Sequence, residues 1–161
     1  MTGESYRTSI LVDQSPEEVF NAVVNTRGWW AADGIVGETE KQGDEFTFEV
    51  PGIHRSEMEL KEVVPNKKVV WLAKENWISF VEDKTEWNGT ELHFDISEKD
   101  GKTELQFTHV GLVPEFECYE ACSGGWTFYI RESLRDLIAT GKGQPAEFPE
   151  EVALKEQQNA Q

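Results

Sequence analysis

Two cysteines and three histidines are the side chains of this sequence best suited to metal binding, nucleophilic attack or acid–base catalysis. Cys118 and Cys122 are four positions apart, so on a helix both thiols would lie on one face. A structural zinc site needs four ligands and usually takes two of them from a Cys-x-x-Cys pair. We therefore predict that this pair packs in the core or at its rim, and that the chain uses no metal and no other cofactor.

The histidines lie in segments where polar and apolar residues alternate. His93 is in step with charged neighbours, which predicts that it faces water, whereas His109 is in step with Leu105 and Phe107, which predicts an inward position. The register of His54 stays open. An inward histidine is either a hydrogen-bonded core residue or a ligand contact or acid–base group in a cleft. Because no known catalytic motif surrounds these histidines, we assign no catalytic residue.

A glycine pair interrupts an apolar stripe of helical spacing near the C-terminus. Gly124 and Gly125 each cost a helix about 1 kcal/mol relative to alanine. Either the helix backbone and a sheet approach each other closely here, or space is kept for a bound molecule or a bend. Trp126 follows directly, and because a buried indole N–H needs a partner, the wall of a pocket is a common setting for it.

The remaining aromatic residues predict an interior rich in rings, since the chain has six tryptophans and nine phenylalanines. Trp71 lies in the middle of a predicted strand and is expected in the core. Trp30, Trp77 and Trp87 lie in or near predicted connections, where large apolar groups often cover a cavity. Taken singly, each of these three is expected to be an ordinary packing residue.

The first elements are a strand and a helix. Residues 6–12 are predicted as a strand. Ser15 then precedes Pro16, and Glu18 lies three positions after the serine, a pattern typical of a helix that begins with a capping box. Apolar residues follow at helical spacing, so this helix is expected to bury one face.

From residue 34 to residue 110 turn signals separate runs of alternating polarity. The inward positions of these runs include Phe48, Met58, Phe94 and Phe107. One-sided alternation joined by short turns predicts an antiparallel meander with one wet face.

A long helix is predicted over residues 118–140, because apolar residues recur there at every third or fourth position. Gly141 is placed to end it, and Pro145 prevents a restart. The predicted fold class is therefore α+β, a curved antiparallel sheet of six or seven strands wrapped around a long C-terminal helix. Residues 1–5 and the polar tail 146–161 are expected to be flexible, which leaves one domain over residues 6–145.

The charge balance excludes some classes of partner. Lysine and arginine number 15 against 31 aspartates and glutamates, a formal net charge of −16. Such a chain repels phosphate backbones and anionic headgroups, so we predict no nucleic-acid partner. No apolar run approaches the ~20 residues of a membrane span. The first residues show neither a basic nor an apolar segment, so we expect no secretory signal and a cytoplasmic location.

Six stretches carry a resemblance to a known family, namely residues 15–20, 64–71, 87–90, 107–112, 125–126 and 141–145. In this order they resemble the START-like (SRPBCC) helix-grip superfamily, and within it the branch named for the activator of heat-shock protein 90 ATPase. The resemblance covers about residues 6–145. It implies a deep apolar cavity between the long helix and the concave sheet, in which relatives bind lipids, hormones or polyketides and some catalyse cyclisation or hydrolysis.

Three functions follow from this resemblance and from the residues. The first is binding of a small hydrophobic molecule, the second is a protein–protein module acting on a chaperone or another protein with a basic surface, and the third is a cyclase or hydrolase. We expect this chain alone not to stimulate a chaperone ATPase. The predicted cavity wall consists of Trp30, Phe48, Met58, Trp71, Phe94, Phe107, His109, Gly125, Trp126 and Tyr129.

Overall fold

Seven antiparallel strands form one sheet, with the strand order β1-β7-β6-β5-β4-β3-β2, in a computed structural model that describes residues 5–31, 35–50, 54–78, 87–114, 116 and 119–144. The strands are β1 (Tyr6–Val12), β2 (Ile35–Gly37), β3 (Glu45–Val50), β4 (His54–Val64), β5 (Lys68–Ile78), β6 (Glu91–Lys99) and β7 (Lys102–Val110). The helix-grip α+β fold predicted from the sequence is confirmed. The predicted flexible tail 146–161 and residues 1–4 lie outside the described residues.

Two short helices, α1 (Pro16–Val24) and α2 (Thr26–Trp29), follow β1. The hydroxyl of Ser15 accepts a hydrogen bond from the backbone N–H of Glu18 at 3.2 Å, which confirms the predicted cap. Helix α2 ends at Trp29, so the next residue, Trp30, leaves the helix with its ring buried. This position delivers a large ring to the inner face of the sheet.

The C-terminal helix is continuous but changes its geometry along its length. Helix α3 (Tyr119–Phe128) passes into a π-helical segment (Tyr129–Leu134) and then into α4 (Arg135–Thr140). Gly141 ends it with a φ of 84°, as predicted. The sequence did not predict the π-helical segment, which holds Ser133 inward so that its hydroxyl donates to the carbonyl of Trp29 at 2.6 Å. The C-terminal helix is thereby tied to the loop that carries Trp30.

A β-bulge alters which residues of β5 face inward. Ser56 is paired with Asn76 and Met58 with Ala73, so one residue of β4 stands opposite two of β5. Simple alternation from Ala73 would have pointed Trp77 inward, but the bulge turns Asn76 inward and leaves Trp77 40% exposed. Trp77, expected in or near a connection, thus lies on the outer face of β5.

The structure describes only some of the residues on which the predictions for the cysteines and for the end of the helix depend. Cys122 is half-buried and packs against the core, while Cys118 and Pro145 lie outside the described residues. None of the helices in the described ranges combines the length and apolar character needed to cross a membrane.

At Gly143 the segment after α4 approaches helix α2 too closely to leave room for a side chain. A Cβ added at Gly143 would collide with the backbone oxygen of Gly28 and lie 2.9 Å from that of Ser133. At Gly124, by contrast, an added Cβ would meet no atom within 4 Å.

We expect Gly143→Ala to lower the free energy of unfolding by roughly 1–3 kcal/mol, because backbone atoms must move apart to admit the methyl group. Gly124→Ala is the matched control, and it should raise stability by up to about 1 kcal/mol through helix propensity. Urea unfolding of both variants checks this. A neutral Gly143→Ala variant would contradict the close approach.

Candidate functional site

Stacked and edge-on aromatic rings pack against one another between the sheet and the helices. Trp30 is central to this aromatic cluster, with ring centroids 4.3 Å from Phe48, 5.4 Å from Trp71 and 5.2 Å from Trp126. The cluster consists of Trp29, Trp30, Phe46, Phe48, Trp71, Trp87, Phe94, Phe107 and Trp126, all of them buried. These rings come from the α1–α2 region, four strands, the loop before β6 and α3, so the cluster joins every layer of the fold.

Trp126 connects the C-terminal helix to the sheet. Its ring centroid lies 4.9 Å from that of Phe107 and 6.0 Å from that of Trp87. Its indole N–H donates to Nδ1 of His109 at 3.2 Å. This hydrogen bond supplies the partner that a buried indole requires.

The hydrogen bonds around His109 determine its tautomer. Because an indole N–H is only a donor, Nδ1 of His109 must be unprotonated and act as the acceptor, which places the proton of the neutral ring on Nε2. That Nε2–H then donates to the hydroxyl of Thr90 at 2.9 Å, and Thr90 donates to the carbonyl of Trp87 at 2.7 Å. The chain of donors is complete only when His109 is uncharged.

Burial keeps both inward histidines neutral. It lowers the pKa of His109 from 6.5 to about 3, with a smaller contribution from the nearby charge of His54. Burial also lowers the pKa of His54 to about 4. The ring of Trp87 lies between the two imidazoles, with centroids 4.7 Å from His109 and 4.9 Å from His54, nearly perpendicular to each.

At one end of the aromatic cluster the inner face becomes polar. We call this region the polar end, and it consists of His54, Ser56, Asn76, Thr90 and His109. Nε2 of His54 lies 2.7 Å from the hydroxyl of Ser56, and Ser56 is the strand partner of Asn76.

Within the described part of the chain, several buried polar atoms at and beside the polar end have no hydrogen-bond partner. They are Nδ2 and Oδ1 of Asn76 and the indole nitrogens of Trp87 and Trp71. The backbone N–H of Asn76, in contrast, is bound by the side chain of Asn88 at 2.7 Å. A buried donor or acceptor without a partner costs about 1–3 kcal/mol, so these atoms are an expensive feature of the interior.

The structure brings most of the predicted cavity residues together. Trp30, Phe48, Trp71, Phe94, Phe107 and Trp126 are all members of the aromatic cluster, Met58 is buried beside it, and His109 belongs to the polar end. Tyr129 is half-buried at the start of the π-helical segment, where its ring packs on Phe128. Burial raises the pKa of the Tyr129 hydroxyl.

Gly125 borders the cluster from the helix. It is half-exposed, follows the open position Gly124 and precedes Trp126, and an added Cβ there would meet no atom within 4 Å. Of the two explanations for the glycine pair, close approach to the sheet does not hold at these positions. Open space remains.

Sequence reasoning missed the rest of the polar end. Asn76 was hidden because alternation along β5 predicts the wrong face once the bulge is overlooked, and adjacent polar residues were the only signal. Thr90 ends the turn that begins at Trp87, a position where polar residues usually face water, yet it is buried and its hydroxyl binds His109.

The described residues of the polar end include no carboxylate and no thiol. Within the described ranges no three His, Cys, Asp or Glu side chains are placed to hold a metal ion. The side-chain partners of His54 and His109 there are Ser56, Thr90 and Trp126, with no carboxylate among them. Imidazoles of such low pKa are weak bases at neutral pH.

Comparison with known proteins gives one family. The sequence model of the family described as Activator of Hsp90 ATPase homolog 1-like protein matches residues 13–139. No protein of curated function matches the chain.

Solved structures with the same fold come from several bacteria. The chain is similar to an Aha1 dimer from Colwellia psychrerythraea, with a TM-score of 0.69 and 25% identity over 86% of this chain and 98% of that one. A protein from Mesorhizobium loti matches with a TM-score of 0.64 at 13% identity, over 86% and 98% of the two chains. A protein from Staphylococcus saprophyticus matches with a TM-score of 0.61 at 17% identity, over 90% and 99%. The last two likenesses concern the fold alone.

The lowered pKa values of His54 and His109 predict a loss of stability in mild acid. Below about pH 6.5 the unfolded chain binds protons that the folded chain does not, so the free energy of unfolding falls as the pH falls. Each histidine contributes up to about 1.4 kcal/mol per pH unit until the pH nears its folded-state pKa of about 4 or about 3. Urea unfolding between about pH 7 and about pH 5 measures the slope.

Replacing a histidine isolates its share of this slope. In His109→Gln the fall in stability per pH unit should be smaller than in the parent by up to about 1.4 kcal/mol, and His54→Gln should act in the same direction. If His109→Gln keeps the full slope of the parent, the neutral hydrogen-bonded form of His109 is wrong.

Proposed function

Because the chain belongs to the Activator of Hsp90 ATPase homolog 1-like family and its C-terminal helix leaves open space beside a cluster of aromatic rings, we propose that it binds a small hydrophobic molecule between α3 and the inner face of the sheet. The observation that carries the proposal is Gly125. This residue costs the helix about 1 kcal/mol relative to alanine, and no neighbouring atom requires the absence of a side chain there.

The surroundings of Gly125 suit an apolar ligand. Trp126 is the next residue, and its ring contacts those of Trp30 and Phe107, so a molecule that passes the glycine meets aromatic surface at once. Cys122 and Tyr129 flank Gly125 at helical spacing and are half-buried. Sites for small molecules typically combine such apolar walls with a few polar groups.

The family description mentions activation of a chaperone ATPase, and a net charge of −16 would suit a basic protein partner. We place ligand binding first because docking of a partner on the outer surface gives no reason for the open helix backbone at Gly125.

A thermal-shift screen with aromatic hydrocarbons, sterols and fatty acids tests the proposal. A molecule present at 100 times its dissociation constant should add about 2.7 kcal/mol to the free energy of unfolding. Gly125→Leu should abolish this gain, because the new side chain occupies the opening.

Gly124→Leu is the matched control for the screen. It makes the same change one position earlier on the same helix, where the residue is exposed, so it should retain the ligand-dependent gain. If no molecule of the panel stabilises the parent, or if Gly125→Leu responds as the parent does, the proposed function is wrong.

A further inference from the structure

The unpartnered atoms at and beside the polar end indicate which chemical groups could bind there. Nδ2 of Asn76 and the indole N–H of Trp87 are donors, and Oδ1 of Asn76 is an acceptor. Asn76 is 5% exposed and Trp87 is 3% exposed, so bulk water does not compensate for the missing bonds. Buried polar groups without a partner are uncommon in native proteins.

One hydrogen bond and one ring contact connect the surroundings of Asn76 with those of Trp87. The side chain of Asn88, the residue after Trp87, binds the backbone N–H of Asn76 at 2.7 Å. Asn76 is also the strand partner of Ser56, whose hydroxyl is held by His54, and the ring of His54 packs edge-on against that of Trp87. Asn76 and Trp87 therefore both border the region around His54 and Ser56.

The bulge turns Asn76 to the inner face of the sheet, although the alternation along β5 predicts that it faces water. Without the bulge between β4 and β5, Trp77 would face inward and the amide would face water. Burying an indole and exposing an amide would be the more stable arrangement, since burial of apolar area stabilises and burial of an unbonded amide destabilises. An exchange of this kind is expected at a functional site.

The neighbouring polar groups are already occupied. His109 bonds to Trp126 and Thr90, and Thr90 bonds to the carbonyl of Trp87. His54 bonds to Ser56. Among the described residues, these pairs leave the amide of Asn76 and the indole N–H groups of Trp87 and Trp71 without a partner, and the first two border the polar end.

The polar end offers nothing that would neutralise an ionic ligand. Within the described ranges no lysine, arginine, aspartate or glutamate side chain is buried, and the hydrogen bonds of His109 require its uncharged form. An ion moved into such surroundings without a counter-charge would lose its hydration without compensation.

We propose that the hydrophobic ligand carries an uncharged carbonyl group, such as a ketone or a carboxamide, that accepts hydrogen bonds from Nδ2 of Asn76 and Nε1 of Trp87. A carboxamide also donates to Oδ1 of Asn76. The apolar body of the ligand lies against Trp126 and the aromatic cluster. This inference rests on the proposed function, because it specifies the polar group of the same ligand.

Three probes with the same apolar body test the assignment, namely 2-acetylnaphthalene, 2-ethylnaphthalene and 2-naphthoate. Calorimetric titration at neutral pH gives the dissociation constant of each for the purified chain. The ketone should bind about tenfold more tightly than the hydrocarbon, and the carboxylate should bind more weakly than the ketone.

Asn76→Leu removes the amide while keeping a similar volume. It should lower the ratio of hydrocarbon to ketone dissociation constants from about ten to near one, without loss of the folded state, because two unpartnered atoms are removed. Asn21→Leu makes the same exchange on the exposed side of α1 and should leave the ratio unchanged.

The outcomes separate this inference from the proposed function. Equal affinities of ketone and hydrocarbon for the parent would overturn the carbonyl assignment while leaving hydrophobic binding in place, and so would a ratio that Asn76→Leu does not change. Tighter binding of the carboxylate would overturn it as well. Absence of binding by all three naphthalenes would count against both.

Discussion

The hydrogen bond from the indole of Trp126 to Nδ1 of His109 joins the C-terminal helix to the sheet. It determines the protonation state of the histidine, and through Thr90 it extends to the carbonyl of Trp87. One continuous series of hydrogen bonds therefore connects helix α3, strand β7 and the loop before β6. This series of hydrogen bonds requires the neutral imidazole of His109, so the polar groups that it connects are all uncharged.

The polar end contributes less to stability than the aromatic cluster does. At the centre of the aromatic cluster the rings of Trp30 and Phe48 stack with centroids 4.3 Å apart, and the core gains both burial and ring contacts. At the polar end the bulge in β5 exchanges the indole of Trp77 for the amide of Asn76, whose side chain has no hydrogen-bond partner among the described residues. Conflicts between local stability and overall pattern tend to mark functional sites.

Much of the fold follows from periodicity, because burial of one face imposes alternation on strands and a three-to-four spacing on helices. The inward position of His109 was predicted in this way, whereas the cap at Ser15 and the end of the helix at Gly141 were predicted from capping residues. Most predicted cavity residues come together for the same reason.

Two features escaped prediction because neither leaves a periodic signal. The bulge opposite Ser56 and Met58 inverts the parity of β5 beyond Ala73, so alternation gave the wrong face for Asn76. The π-helical segment shifts the register of the C-terminal helix by less than a full turn, and the apolar stripe tolerates it. In both places tertiary packing outweighs the local pattern.

In the proposed complex the interior binds a hydrophobic ligand, and the polar end binds its uncharged carbonyl group. Nuclear magnetic resonance of the ¹⁵N-labelled chain during titration with 2-acetylnaphthalene tests it most directly, because the six indole N–H groups and the side-chain amide of Asn76 each report their own hydrogen bonding. If the ketone accepts hydrogen bonds from both groups, the resonances of the Trp87 indole and the Asn76 amide should move downfield together, while the indole of Trp126 keeps its hydrogen-bonded position. Shifts confined to surface residues, with Trp87 and Asn76 unchanged at saturation, would contradict it.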